Sequence, residues 1–355
     1  MSRIENARDV LVRNRYRIGG VVAAIVVGLA LAAWQDVAIG RLFTEGYVRR
    51  SFRAATPIAL VAIGGLYAEK SGVFNIGVEG FMILGAVNGL AVAYLVSGDG
   101  SVSQVDLWLG VLGAVLISTL LTTVFAVLMI RYEADQIVAG LAVWFVGLGF
   151  GPFISILLWD SRNSARLGRI DRISVPGLSE IPFLGPAFFD TTPFVLITAL
   201  LVGAAWIVLY RTRYGYWIQA AGENPEALDT AGVNVNRVRY VAVIFSGAMA
   251  GFAGAVLALG IDGSFLGSGM TSVDGRGWIG IVSYLFGNYN PVGAALAALL
   301  FGATDMLQVQ LQTVGVALPS SLVDLFPYVA VIVVLTFYGS TRMPSNVGEP
   351  YESEN

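Results

Sequence analysis

The stretch RTRYGYWIQAAGENPEALDTAGVNVNRVRY, residues 211–240, is the one polar segment of its length flanked on both sides by long apolar runs. Its middle reads as a short helix with a defined start and stop. Asn224 is a good N-cap, because its side-chain oxygen can accept from the free amides of the first turn, and Pro225 suits the next position, where no amide is needed. Glu226 places a carboxylate in the first turn, Ala227 and Leu228 favour helix, and Gly232 can adopt the left-handed conformation that ends one. The predicted helix is about two turns long. A helix that short is marginal in water, so it is expected to rest against something.

Working outward, composition sets the surroundings of this segment. The chain of 355 residues is 56% hydrophobic and 13% charged, with a mean hydropathy of +0.74, which leaves too little polar surface to cover a soluble globule. It reads as an all-α membrane protein with several spans. A net charge of -3 gives no basic footprint for nucleic acid, and 43 glycines accord with close helix packing in lipid. With no Cys and no His, disulfides, thiolate nucleophiles, Ser-His-Asp triads and the usual zinc sites are excluded. Only carboxylate chemistry remains open, and no acid pair has convincing spacing for a hydrolase. No catalytic residue and no metal ligand is assigned.

The N-terminus carries Arg3, Arg8, Arg13, Arg15 and Arg17 before an apolar run at 18–34. This is either a signal peptide, for which Ala30, Leu31 and Ala32 would serve as the cleavage site, or a first span that stays in place. A retained span is preferred, since the run approaches spanning length, and the arginines then lie in the cytoplasm. Further apolar runs fall at 54–68, 72–96, 107–130, 136–158, 191–210, 240–260, 277–287, 291–311 and 323–338. The expectation is a polytopic protein of about ten transmembrane helices. The run at 277–287 is short enough to be re-entrant instead.

With the N-terminus inside, parity places residues 211–240 and the C-terminal tail in the cytoplasm and the acidic loop SGDGSVSQVD, residues 97–106, outside. Basic residues support this only weakly. Arg41, Arg49, Arg50 and Arg53 fall in the first outside loop, and Arg162, Arg166, Arg169 and Arg172 in the outside loop at 159–190. That second loop, with Pro176, Pro182 and Pro186, reads as a folded excursion. The resulting division is a cytoplasmic segment at 1–17, a transmembrane domain at 18–340 containing the cytoplasmic segment 211–240, and a cytoplasmic acidic tail at 341–355.

Residues 64–71, GGLYAEKS, come near to a phosphate-binding loop, but Glu69 stands where the second glycine is required. A carboxylate there would face the phosphates, so the match is rejected. Polar residues within apolar runs are more informative, because each costs free energy in lipid unless it faces protein or water. Asn75 and Glu79 lie four apart in GVFNIGVEG, residues 72–80, and are expected on one helical face. Asn88, Gln136, Asp305 and Gln308 add further polarity. The glycines around Asn75 and Glu79 point to a broken helix that exposes backbone to a cavity. Two readings stand side by side: the pair fixes helix packing, or it lines a polar path. Asp262, Asp274 and Arg276 read as a solvated mouth or loop, and Trp144 and Trp278 as packing or interface aromatics.

Three stretches carry a resemblance. AGENPEALDTAGVNVNRVRYVAVIFSGAMAGFAGA, residues 221–255, resembles the cytoplasmic coupling region of permeases of the branched-chain amino acid, ribose and nucleoside group of ATP-binding-cassette (ABC) importers. TPIALVAIGGLYAEKSGVFNIGVEGFMILGA (56–86) and DGRGWIGIVSYLFGNYNPVGA (274–294) resemble the nucleoside branch of that group. Related sugar permeases tend to carry a G-x-D-L-S-x-G type sequence where this chain has GVFNIGVEG.

The resemblance implies an ABC importer permease fold in the cell membrane, with both termini cytoplasmic. It implies a subunit that forms the path for a nucleoside or similar polar solute, and whose short cytoplasmic helix docks on an ATPase. Glu223, Asn224, Pro225, Glu226, Ala227, Ala231 and Gly232 occupy the coupling positions, and Asn75, Glu79 and Asn88 are the candidates for the substrate path. The implied partners are a cytoplasmic ABC ATPase subunit, a second permease subunit (identical or homologous) and an extracellular substrate-binding protein. ATP is hydrolysed by the partner, and this chain binds no cofactor and is not itself an enzyme. The alternatives are a ribose-like sugar or branched-chain amino acid permease and, further off, an ion-driven secondary transporter using Glu79 or Asp305.

Overall fold

The structure is a computed structural model and describes residues 43–98, 101–268, 271–313, 343–349 and 351. The expected segment 1–17, the expected spans at 18–34 and 323–338, Arg41, residues 352–355 of the tail and the side chain of Gln308 lie outside the described residues.

Ten helices are described: α1 (Glu45–Lys70), α2 (Val78–Ser97), α3 (Gln104–Ile130), α4 (Gln136–Trp159), α5 (Pro193–Arg211), α6 (Arg213–Glu223), α7 (Pro225–Thr230), α8 (Val235–Ala255, continued by a π-turn over Val256–Asp262), α9 (Arg276–Phe286) and α10 (Pro291–Thr313). Their starts follow capping chemistry. Ser103 and Asp106 close a capping box on α3, Asp135 accepts from the Ile137 and Val138 amides at the head of α4, and Asn234 accepts from the Arg237 amide at the head of α8. Seven of the described helices, α1 to α5, α8 and α10, are long and apolar enough to cross a membrane. α9 is not: 11 residues reach about 16 Å at 1.5 Å per residue, half of a hydrocarbon core of about 30 Å.

The fold is organised around α1. Every residue from 54 to 69 is buried, which requires neighbours on all sides, and α5, α8, α9 and α10 supply them. A second layer forms where α2 and α3 pack onto α8, with α4 packed in turn against α2. Small residues allow this closeness: a Cβ on Gly85 of α2 would lie 2.5 Å from the Gly251 carbonyl oxygen of α8, so the two backbones touch. The outer faces of α3 and α4 expose Leu112, Leu116, Leu120, Phe145, Phe150, Phe153 and Leu157, a surface suited to hydrocarbon rather than water.

Two expectations need correction. Arg49, Arg50 and Arg53 are not in a loop but on the first turns of α1, which starts about nine residues before its apolar part. They are held there by local partners: Arg49 donates to Asp190 at 3.0 Å, Arg50 to Gln310, and Arg53 to the Gly260 carbonyl at 3.2 Å. The run at 72–96 is broken, as its glycines indicate, but the break changes the reading of its polar pair. Residues 73–77 are non-helical and α2 begins only at Val78, so Asn75 and Glu79 do not share a helical face. The excursion at 159–190 is folded, as expected, with a two-residue antiparallel pairing of Ile173–Ser174 to Asp190–Thr191 and a short π-turn at Gly185–Phe189.

Candidate functional site

The polar groups collect in two places. The first is a junction where the non-helical residues 73–77, the start of α2 and the start of α9 meet against α8. The Phe74 amide donates to Gln136 Oε1 at 2.7 Å and Asn75 Nδ2 donates to Ser246 Oγ at 3.0 Å, which fixes the extended segment on both sides. Ser246 lies eleven residues into α8, about 16 Å along its axis, so the junction meets α8 near its middle while gathering the starts of α2, α4 and α9 there.

Glu79 stands in the first turn of α2, 3% exposed, and accepts from the Gly275 amide at 2.9 Å and the Gly277 amide at 2.7 Å. Both donors belong to the first turn of α9, whose unpaired amides and positive dipole end suit a carboxylate. Gly277 is required by this approach, because a Cβ there would lie 2.6 Å from Glu79 Oε2. Two helix starts are thus joined through one side chain. Trp144 and Trp278 pack edge to face beside it with ring centres 5.7 Å apart, as packing aromatics. Arg276, also in the first turn of α9, reaches Asp305 of α10 at 3.5 Å, so these two acid and base groups are paired rather than merely solvated.

Asn75 is 2% exposed, and its Oδ1 has no partner among the described residues. Asn88 is separate. It follows Glu79 by nine residues, two and a half turns, and so lies on the opposite side of α2, half-buried. Sequence reading passed over one buried carboxylate. Glu69, rejected as part of a phosphate loop, is helical and 1% exposed and accepts from the Tyr289 hydroxyl at 2.6 Å. A signal for it existed, since an acid near the end of an apolar run is costly unless paired.

The second place is the segment 211–240. α7 is capped by Asn224, whose Oδ1 accepts from the Ala227 amide at 3.0 Å, and it has Pro225 at its first position. It ends through Ala231 and Gly232, where φ is +79° and the Gly232 amide donates to the Asp229 carbonyl at 2.8 Å. Pro225 and Leu228 face inward, Leu228 packing with Ala221 and Val235. Glu223, Asn224, Glu226, Ala227, Ala231 and Gly232 are exposed, so of the positions expected to couple only Pro225 is buried.

Residues 343–349 and Tyr351 lie across this region, a feature with no clear mark in the sequence. The Asn346 amide donates to the Gly222 carbonyl at 2.9 Å, Ser345 Oγ to Glu223 at 3.0 Å, the Gly348 amide to the Gly72 carbonyl at 3.0 Å, and the Tyr351 hydroxyl to Asp229 at 3.0 Å. Arg239 Nη1 donates to the Glu349 carbonyl at 2.9 Å. One strap therefore joins the base of α7 to the head of the non-helical segment that carries Asn75.

Known proteins share this arrangement of sequence. The model of the family described as branched-chain amino acid transport system / permease component matches residues 47–335. The chain is 35% identical over 301 residues to the nucleoside ABC transporter permease protein NupC of Lactococcus lactis subsp. cremoris, covering 84% of this chain and 93% of that protein. It is 34% identical over 302 residues to the guanosine ABC transporter permease protein NupQ of Bacillus subtilis, covering 84% and 93%. It is 32% identical over 320 residues to the putative glucose ABC transporter permease protein TsgC13 of Haloferax volcanii, covering 83% and 92%. With a family match over most of its length and a multi-pass helical architecture, the chain belongs to the permease components of the branched-chain amino acid transport system family.

Proposed function

We propose that this chain is the path-forming membrane subunit of an ABC importer for nucleosides, with α7 as the element that docks on a separate cytoplasmic ATPase. The observation that carries the substrate class is the likeness, across 84% of the chain, to two proteins named for nucleoside and guanosine transport. The exposed, capped α7 supports the coupling role: six residues cannot hold a helix alone, and this one is anchored by Leu228 while its other side is left open. In this reading both termini are cytoplasmic. An extracellular binding protein delivers the solute, a second permease subunit, identical or homologous, completes the path, and ATP is hydrolysed by the partner. In this reading Asn75 and Glu79 border the path, and Asn88, on the opposite side of α2, is left outside it.

The likeness to a putative glucose permease keeps a sugar importer as the second reading. One experiment separates them. The chain is reconstituted in proteoliposomes with its ATPase and binding protein, and uptake of labelled guanosine, glucose and leucine is measured with ATP inside or with an imposed proton or sodium gradient. ATP-dependent guanosine uptake is expected. Uptake of glucose alone would move the substrate to sugars, and uptake driven by the ion gradient without ATP would overturn the importer reading.

A further inference from the structure

A cavity of about 550 Å³ opens on the strap side of the bundle, within the roughly 300–1,000 Å³ range of small-molecule sites. Its walls come from four places that the substrate path does not explain together: Phe74 of the non-helical segment, the turn at 133–136, Arg239 of α8, and the strap residues Glu349 and Tyr351. Apolar side chains, Met129, Ile130 and Val347 among them, form the rest of the lining. Arg239 is 3% exposed, and although its Nε and Nη1 are bound to the Ser71 and Glu349 carbonyls, its Nη2 has no partner among the described residues.

The lining selects a chemical class. Glu133, Asp135 and Glu349 set three carboxylates against one guanidinium, so a phosphorylated or carboxylate ligand would meet net repulsion. Asp135 caps α4 and Gln136 Oε1 holds the Phe74 amide, so Glu133 and Glu349 are the acceptors that favour a ligand with N–H donors, the Arg239 guanidinium favours one with an uncharged carbonyl or hydroxyl acceptor, and the Phe74 and Tyr351 rings suit a flat heterocycle. We propose that this cavity is a cytoplasmic binding site for an unphosphorylated nucleoside or nucleobase, separate from the path, and that its occupation arrests transport. The proposal rests on the importer reading for its substrate class and for which side is cytoplasmic.

The arrest follows from what the walls are tied to. Tyr351 donates to Asp229 on α7, and Gly348, which also lines the cavity, donates to Gly72 at the head of the Asn75 segment. A ligand bridging Phe74, Arg239 and the strap stabilises the one arrangement in which these walls are together. A transport cycle in which α7 moves must leave that arrangement, and a ligand that prefers one state holds the population there. The class of reaction that relieves the arrest is one that adds phosphate to the free nucleoside, whose charge the three carboxylates then repel.

The test uses inside-out membrane vesicles containing the transporter assembled with its ATPase. ATP hydrolysis is measured with guanosine, and with guanosine monophosphate as the charged control, added to the cytoplasmic face. Hydrolysis is expected to fall by roughly threefold or more at saturating guanosine and to be unchanged by the monophosphate. Ala134→Trp, which fills the cavity from a half-buried turn position, is expected to remove the inhibition while ATP-driven uptake persists. Tyr351→Phe, which keeps the ring and loses the hydroxyl to Asp229, is expected to bind labelled guanosine as before but to be inhibited less. Equal inhibition by the monophosphate, or full inhibition of Ala134→Trp, overturns the site. Absence of inhibition in a transporter that takes up guanosine overturns this site alone, and absence of ATP-driven uptake overturns the importer reading beneath it.

Discussion

Glu79 uses both carboxylate oxygens, one on the Gly275 amide and one on the Gly277 amide, and this makes its substitutions unequal. Alanine leaves two buried N–H groups without an acceptor, at a cost of about 1–3 kcal/mol each. Glutamine restores one acceptor but turns its NH2 toward the other amide, so it is expected to rescue only partly. The prediction is that Glu79→Ala abolishes uptake at matched membrane protein level and Glu79→Gln retains a fraction of it. Normal uptake by Glu79→Ala, or a defect confined to the amount of folded protein, would remove Glu79 from the path and leave it a packing residue. Gly277→Ala tests the same contact from the other side. Its Cβ would meet Glu79 at 2.6 Å, so it is expected to match Glu79→Ala rather than behave as a mild helix substitution.

At the scale of elements, α7 separates its anchor from its open side. Gly232 has φ +79°, and a Cβ there would meet nothing within 4 Å, so a bulky residue suffers from backbone strain and not from collision. Gly232→Val is expected to cost about 1–2 kcal/mol locally and to lower ATP-driven uptake while insertion in the membrane stays normal. Gly232→Asn, which tolerates the left-handed region, is expected to restore most of the uptake. Equal uptake by wild type and Gly232→Val would show that the end of α7 has no part in coupling. Because the chain has no native Cys, Ala227→Cys gives a clean crosslinking probe on the exposed side. It is expected to crosslink to the ATPase subunit, and failure where other exposed positions of the same segment succeed would sink the docking role.

For the whole molecule the decisive quantity is orientation. The strap and α7 lie together at one end of the bundle, and the proposed topology puts that end in the cytoplasm. An impermeant thiol reagent applied to intact cells is expected to modify single cysteines at Ser101 and Ser179 and to spare those at Ala227 and Ser345. Labelling of Ala227 would invert the topology, and labelling of Ser345 with Ala227 spared would part the strap from α7 and contradict the hydrogen bond from Ser345 to Glu223.

Local chemistry determined what lies within a few residues along the chain. The all-helical membrane architecture follows from apolar runs of spanning length, and the start, first proline and left-handed end of α7 follow from Asn224, Pro225 and Gly232, whose preferences act over one turn. Intramembrane polarity marked Asn75 and Glu79 as residues needing a partner, because lipid supplies none. Which partner was a matter for tertiary structure alone. The Gly277 amide is 198 positions from Glu79, Ser246 is 171 from Asn75, and no periodicity links sites so far apart. The glycines around 73–77 already pointed to a break, but its place was set by distant contacts: the Phe74 amide and the Asn75 side chain donate to Gln136 Oε1 and Ser246 Oγ, acceptors that a continuous helix would not reach. Arg49, Arg50 and Arg53 extend α1 because distant oxygens receive them, and the strap is held by backbone carbonyls at Gly72 and Gly222, groups every residue carries and no sequence distinguishes.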